Sequence, residues 1–192
     1  MPSGIPHKVK ADQPERTWDY WGGFGADGWD YCESLYQTAQ HFKAKRILEI
    51  GFRLGKSALA FLKSSPDVQL VSIDIEVASD FDAVQLLKDH GVYDRFTFIE
   101  GRSDEILPRL LPDTFDLIYI DGSHTHRDIV NDFKDSLPLV KTGGVIVFDD
   151  WRKDLGYATD TQGAFAELGL EYKTMTDYGL QENPHGAPIF IK

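Results

Sequence analysis

Three acids and a histidine carry the strongest chemical signal in this chain. Asp121 closes the apolar run in FDLIYID, and Asp149-Asp150 close the run in GGVIVFDD. Apolar runs of this length bounded by turn residues read as buried strands. If the two strands are neighbours, as consecutive strands usually are, their ends lie about 4.8 Å apart and the carboxylates converge. Hard oxygen ligands with no cysteine nearby suit Mg²⁺, Mn²⁺ or Ca²⁺ rather than Zn²⁺. His124 follows Asp121 closely enough to lie beside the same place. A neutral imidazole there can take a proton from a hydroxyl, ligate a metal, or cap the helix that follows. His126, on a polar turn, reads as a surface residue that titrates freely, and Trp151 as either a wall of the site or core packing.

Other strand-like runs also end in acids: Glu49, Asp74 and Glu100. In a parallel sheet all five strand-end acids share the carboxyl edge, where such sheets bind ligands. Clustered like charges cost stability unless a cation offsets them, although any single acid can instead cap a helix or sit in a solvated turn.

The stretch that organises the chain is RILEIGFRLGKSALAFL, residues 46–62. It reads as a strand, a tight glycine turn and a helix, which presents backbone N–H groups beside a strand end. A dinucleotide fingerprint counted from Gly51 requires glycine where Arg53 and Lys56 stand. A phosphate loop requires four residues between its first Gly and Gly-Lys-Ser, and here only Phe52, Arg53 and Leu54 intervene. The remaining pattern, an acid shortly before Gly51 and then GxxxG, resembles motif I of class I S-adenosylmethionine (SAM)-dependent methyltransferases.

That resemblance places Glu49 and Gly51 by the methionine portion of SAM, Ser57 nearby on the helix start and Gly55 among the cofactor-binding residues, and Lys56 becomes a solvent-facing helix residue. Asp74 stands where an acid accepts hydrogen bonds from ribose hydroxyls, which serves NAD and SAM alike, and the failed dinucleotide fingerprint favours SAM. Ser103 looks like the adenine-contacting serine of catechol O-methyltransferase-like proteins, and its position also suits a helix N-cap. YIDGSHTHRD and GGVIVFDDW resemble the metal-dependent O-methyltransferases, of both catechol and macrocin type. The resemblance implies that Asp121, Asp149 and Asp150 hold the ion, that Asp121 also contacts the cofactor, and that His124 acts as base. Asp at 150 rather than Asn, and His at 124 rather than Lys, lean toward the sugar-modifying branch.

The elements that must position these residues alternate. A helix is expected over 29–42, then strands at 47–50, 70–75, 96–99, 115–120 and 145–148. Helices are expected between them near 57–62, 79–91, 103–111 and 125–139. Alternation of this kind predicts an α/β fold with right-handed crossovers and helices on both faces. A helix near 161–168 and closing strands near 170–176 and 188–191 complete the pattern. With the resemblance, this gives a Rossmann-like three-layer sandwich whose seven-stranded, mostly parallel sheet has an antiparallel last strand.

Composition narrows the class further. The 192 residues are 42% hydrophobic and 12% aromatic, which makes one domain able to bury its own core. Residues 29–192 form that domain, and residues 1–28, with Tyr20-Trp21-Gly22-Gly23-Phe24-Gly25, form an N-terminal arm or a lid. A net charge of −11 argues against a nucleic-acid partner. No apolar run suits a membrane span or a secretion signal, so the cytoplasm is the expected location. The single Cys32 reads as a buried structural thiol.

The sequence thus points to a SAM-dependent methyltransferase acting on a hydroxyl of a small acceptor (sugar, polyol or catechol-like), with Mg²⁺, Mn²⁺ or Ca²⁺ assisting. Aromatics near 18–29 permit a catechol-like ring, and the Asp pair with His124 leans toward a sugar. A phosphotransferase built on Gly55-Lys56-Ser57, and a SAM-binding module without turnover, are the competing readings. A homo-oligomer is left open.

Overall fold

The structure, a computed structural model, describes residues 27–76, 82–151 and 160–192. The expected arm or lid at 1–28 lies almost wholly outside the described residues.

Six strands form one sheet in the order β3-β2-β1-β4-β5-β6. They are β1 (Arg46–Ile50), β2 (Gln69–Asp74), β3 (Phe96–Glu100), β4 (Phe115–Ile120), β5 (Val140–Phe148) and β6 (Ile189–Ile191). The first five are parallel and β6 runs antiparallel to β5. The order reverses between β1 and β4, and this switch point opens a crevice at the carboxyl edge.

Side-chain alternation divides the core in two. Ile47, Leu117, Tyr119, Val145 and Val147 face one layer, with residues of α1 (Asp27–His41), α2 (Lys56–Ser64) and α3 (Ala83–Asp89). Leu48, Ile50, Ile118, Ile120, Ile146 and Phe148 face the other. There they meet Leu107, which follows α4 (Ser103–Ile106), together with Ile129 and Phe133 of α5 (His126–Ser136) and Phe165 of α6 (Thr161–Leu168). Central strands covered on both faces are continuous in hydrophobicity, which is why RILEI and FDLIYI carry so little polarity.

The expected seventh strand at 170–176 does not form. Lys173 makes a single antiparallel bridge to Ile189, and the chain then enters a 3₁₀ turn at Met175–Tyr178. The Asp177 carboxylate accepts hydrogen bonds from the Thr174 backbone N–H at 2.7 Å and from its hydroxyl at 2.8 Å. These local bonds compete with the ladder for the same backbone.

Three helices are shorter than their patterns predict, the one expected near 79–91 running only over Ala83–Asp89. The one expected over 103–111 passes into a 3₁₀ turn at Leu107–Arg109, because Pro108 has no N–H for the α-helical ladder. The one expected over 125–139 ends at Ser136, two residues before Pro138, which has no N–H to continue the α-helical ladder. β5 begins at Val140, earlier than expected, through a register irregularity opposite Phe115 and Leu117. Among the described residues no helix is long and apolar enough to cross a membrane.

The β1 turn is built around one close approach. Gly51 has φ +97°, and a Cβ there would lie 2.0 Å from the Asp121 carbonyl oxygen. Glycine is required so that two neighbouring strand ends can touch. Gly143, at φ +78°, has nothing within 4 Å of such a Cβ. Gly51→Ala is therefore expected to cost about 3 kcal/mol or more, through collision with backbone, while Gly143→Ala costs only the left-handed penalty of about 1–2 kcal/mol. Urea unfolding of both variants measures the contrast.

Candidate active site

A cleft of about 940 Å³ opens above the carboxyl ends of the central strands. The β1–α2 loop, the ends of β2, β4 and β5, and the start of α4 all contribute to it.

At one end, Asp74 closes β2. Its Oδ2 accepts from the backbone N–H groups of Phe52 at 2.7 Å and Arg53 at 2.9 Å. The carboxylate thereby shapes the glycine loop as well as lining the cleft. Gly51 and Ser57 also line the cleft, whereas Gly55 does not. Gly55 sits at φ +69°, where a Cβ would press on Ala83 and the Phe52 ring at 3.2 Å. Its role is to let the turn fold against α3.

Glu49 lies beneath the cleft, fully buried. The hydroxyls of Ser57 and Ser72 both donate to its carboxylate. Burial pushes its pKa up to about 7, and the two serine hydrogen bonds only partly offset this. Glu100, at the exposed end of the outer strand β3, takes no part in the cleft. Of the five strand-end acids, Asp74, Asp121 and Asp149 line the crevice.

Toward α4, Ser103 is the first helical residue and Arg102 occupies the N-cap position, so Ser103 does not cap the helix. Its hydroxyl bonds instead to Asp132, a buried acid on α5 whose pKa burial raises to about 6. Asp132 shares the buried face of α5 with Ile129, Phe133 and Ser136. An acid on that otherwise core-facing stripe was the signal in the sequence that could have found it.

The other end of the cleft is acidic. β4 and β5 are paired with Ile120 opposite Phe148, so Asp121 and Asp149 emerge side by side. Asp149 N–H donates to the Ile120 carbonyl at 3.0 Å. Asp150 adopts φ 57°, left-handed backbone that Asp tolerates better than most residues. All three carboxylates are largely withheld from water. Burial, followed by the charges of Asp149 and Asp150, holds Asp121 well above the usual carboxylate range. Burial raises Asp149 too, against the lowering effect of His185.

Two histidines and a tyrosine answer this charge. His124 Nδ1 lies 2.6 Å from Asp150 Oδ2, and that hydrogen bond raises the pKa of the imidazole. His185, in the loop before β6, places Nδ1 3.3 Å from Asp149 Oδ2 and 3.7 Å from Asp150 Oδ1. Tyr31 of α1 donates to Asp121 Oδ2 at 3.1 Å, and its hydroxyl lies 2.5 Å from that of Tyr119. Tyr31 lies within the helix expected over 29–42, but sequence reasoning assigns it no role and passes over His185.

Two further expectations change, for Lys56 and His126, and Trp151 takes the packing role of its two readings. Lys56 does not point into solvent: it is half-buried, lines the cleft, and has its pKa lowered by burial to about 8. His126 joins two helices, with Nδ1 2.6 Å from Asp160 and Nε2 2.6 Å from Glu167. Trp151 packs on Phe165 and Tyr172 at ring separations of 5.1 and 4.6 Å and is not part of the cleft lining.

An open parallel sheet with a glycine turn after β1, an acid after β2 and acids after β4 and β5 defines a class of small-molecule-binding α/β domain. Residues 48–151 match the family described as "Methyltransferase domain", and the chain belongs to that family. It is 31% identical over 121 residues to the O-methyltransferase hkm8 of Aspergillus hancockii, covering 62% of this chain and 48% of that protein. It is also 31% identical over 114 residues to a caffeoyl-CoA O-methyltransferase of Stellaria longipes, covering 56% and 46%. The chain thus spans about half the length of these curated relatives. Among solved structures, it resembles the O-methyltransferase TomG of Streptomyces achromogenes in complex with SAM, with 26% identity and a TM-score of 0.64 over 84% of this chain and 79% of that one.

Glu49 provides a test of the buried layer under the site. Its folded pKa of about 7 lies above the ordinary value of 4.5, so between those pH values the folded state holds more protons than the unfolded chain. Its contribution to stability is then fully present below about pH 4.5 and declines as pH rises to about 7. Glu49→Gln is expected to remove that decline and to raise stability at pH 8 by up to about 3 kcal/mol. Urea unfolding at pH 5 and pH 8 checks the sign.

Proposed function

We propose that this domain transfers a methyl group from SAM to a hydroxyl of a small acceptor, assisted by a divalent ion held by Asp121, Asp149 and Asp150. The observation that carries the reading is that Asp149 and Asp150 bring ligand atoms within 4.8 Å of each other, beside Asp121 and His124, at one end of a cleft whose other end is the Asp74-braced glycine loop. The names of the relatives favour a catechol-like acceptor over a sugar, since several are caffeoyl-CoA O-methyltransferases. Membership of the methyltransferase-domain family weighs against the phosphotransferase reading.

The residues fit both groups. SAM is cationic at its sulfonium and its ammonium, and the cleft is lined by Asp74, Asp121, Asp149 and Asp150. Asp149 Oδ1 is buried without a hydrogen-bond partner, an arrangement that costs about 1–3 kcal/mol unless a cation or donor satisfies it. When bound, SAM supplies the electrophilic methyl and the ion lowers the pKa of a bound hydroxyl.

The chain's own residues then have distinct tasks. Asp74 orients the ribose end, with the β1–α2 loop held on its Oδ2. Ser57 lines the cleft at the head of α2 while bracing Glu49 below. Asp150 holds His124 Nδ1 and so sets the orientation of the ring and raises its affinity for the acceptor proton. The base must be neutral to accept that proton. Its raised pKa therefore places the acidic limb of the kcat profile above the ordinary histidine value of about 6.5.

Calorimetric titration with SAM, with and without Mg²⁺ and with ATP as competitor, tests the cofactor assignment. SAM is expected to bind and ATP not to displace it, and the reverse result sinks the proposal. Asp74→Ala is expected to weaken SAM by about 10- to 100-fold, the value of one charge-assisted hydrogen bond. His124→Gln is expected to lower kcat by about 10²- to 10⁴-fold with little change in SAM affinity. EDTA and Asp149→Asn should each abolish turnover, and full activity in both cases removes the ion from the mechanism.

A further inference from the structure

The metal reading above uses only carboxylates, and the loop before β6 adds a nitrogen to them. Because β6 runs antiparallel to β5, the residues that precede it return beside the end of β5, where Asp149 and Asp150 stand. Trp151 N–H reaches the Gly186 carbonyl at 3.4 Å and Phe148 N–H reaches the Pro188 carbonyl at 3.1 Å, which ties this loop to the acid pair. A buried Asn183 fixes the turn: its side-chain oxygen accepts from His185 N–H, and its carbonyl from Gly186 N–H, both at 2.8 Å. The Tyr31 ring, 5.2 Å from the imidazole, closes the other side.

The position of His185 is not that of a simple ion-pair partner. Its Nδ1 is shared between two carboxylates at 3.3 and 3.7 Å, whereas a committed charge-assisted N–H···O bond runs about 2.7–2.9 Å. His124, at 2.6 Å from Asp150, shows what such a bond looks like in this site. The longer separations approach the roughly 3 Å kept by neighbouring ligands that are each about 2.1 Å from an octahedral ion. One ligand atom from each of Asp149, Asp150 and His185 lies within 4.8 Å of the others, and beside them Asp149 Oδ1 is buried and unpartnered.

Resting on the proposed metal-assisted function, we propose that His185 is a side-chain ligand of the ion, and that the centre therefore selects a first-row transition ion over Mg²⁺. Imidazole nitrogen suits Fe²⁺, Co²⁺, Ni²⁺ and Zn²⁺, whereas Mg²⁺ prefers oxygen and keeps its waters. The all-aspartate set inferred from the sequence discriminates less, following only the general rise in affinity along the first row without the added preference of an imidazole nitrogen.

Binding of Mg²⁺, Mn²⁺ and Co²⁺ by calorimetry, and electron spin-echo modulation of bound Mn²⁺, test this without reference to turnover. The wild-type chain is expected to bind Co²⁺ at least about tenfold tighter than Mg²⁺ and to show ¹⁴N modulation on Mn²⁺. His185→Gln should lose the modulation and most of the Co²⁺ preference while holding Mg²⁺ within about threefold. His185 is 33% exposed on a loop, so H185Q is expected to fold, and H185N measured in parallel guards against a defect peculiar to one replacement. Equal affinities for Mg²⁺ and Co²⁺ in the wild type, or ¹⁴N modulation that survives H185Q and disappears in His124→Gln, would overturn the assignment and leave the carboxylate site standing. If no ion binds the wild type while SAM still does, the metal reading itself falls and this inference falls with it.

Discussion

Asp121, Asp149 and Asp150 are brought together, largely out of water, at the adjoining ends of two paired strands. Like charges in that position are costly, because each carboxylate loses solvation and repels the others. The structure holds them there because the strands beneath are continuous apolar runs buried on both faces, and a one-residue slip would exchange the side chains packed against the two helical layers. What surrounds the acids is matched to them: His124 on Asp150, His185 between Asp149 and Asp150, and the Tyr31 hydroxyl on Asp121. The buried, unpartnered Asp149 Oδ1 leaves room in this arrangement for one more positive centre. The proposed metal site answers that residual demand.

The same constraint reaches the other end of the cleft through backbone. Gly51 allows the β1 turn to touch the Asp121 carbonyl, and Asp74 holds the next two loop amides. A cofactor seated on this loop would therefore lie on the same rigid platform that positions the acids. Glu49 and its two serines form the support below, a layer buried away from water. Sheet order makes the arrangement compact, since β1 and β4 flank the switch point and β5 lies next to β4.

Much of this was legible in the sequence because it depends on local pattern. Alternating apolar runs marked β1 to β5, the residues and spacing after Gly51 counted against two nucleotide loops, and FDLIYID and VFDD placed the acids at strand ends. The errors came where a local pattern had a competitor of similar strength. Residues 170–176 looked like a strand, but Thr174 and Asp177 offered the backbone a closer partner. Ser103 suited an N-cap, yet Asp132 engages its hydroxyl. His126 looked like a free surface imidazole because Asp160 and Glu167, which flank it, are distant in sequence.

By itself the sequence determined the α/β class, the family and the chemistry available at the carboxyl edge, because burial period, glycine spacing and strand-end acids are properties of short segments. Tertiary structure alone decided which of those groups meet. Only a folded sheet sends β6 back antiparallel along β5 and delivers His185 to Asp149. Only helix packing brings Tyr31 from α1 to Asp121, or turns Lys56 into the cleft. Those contacts join segments 36 to 90 residues apart, and no local periodicity encodes a distance of that kind.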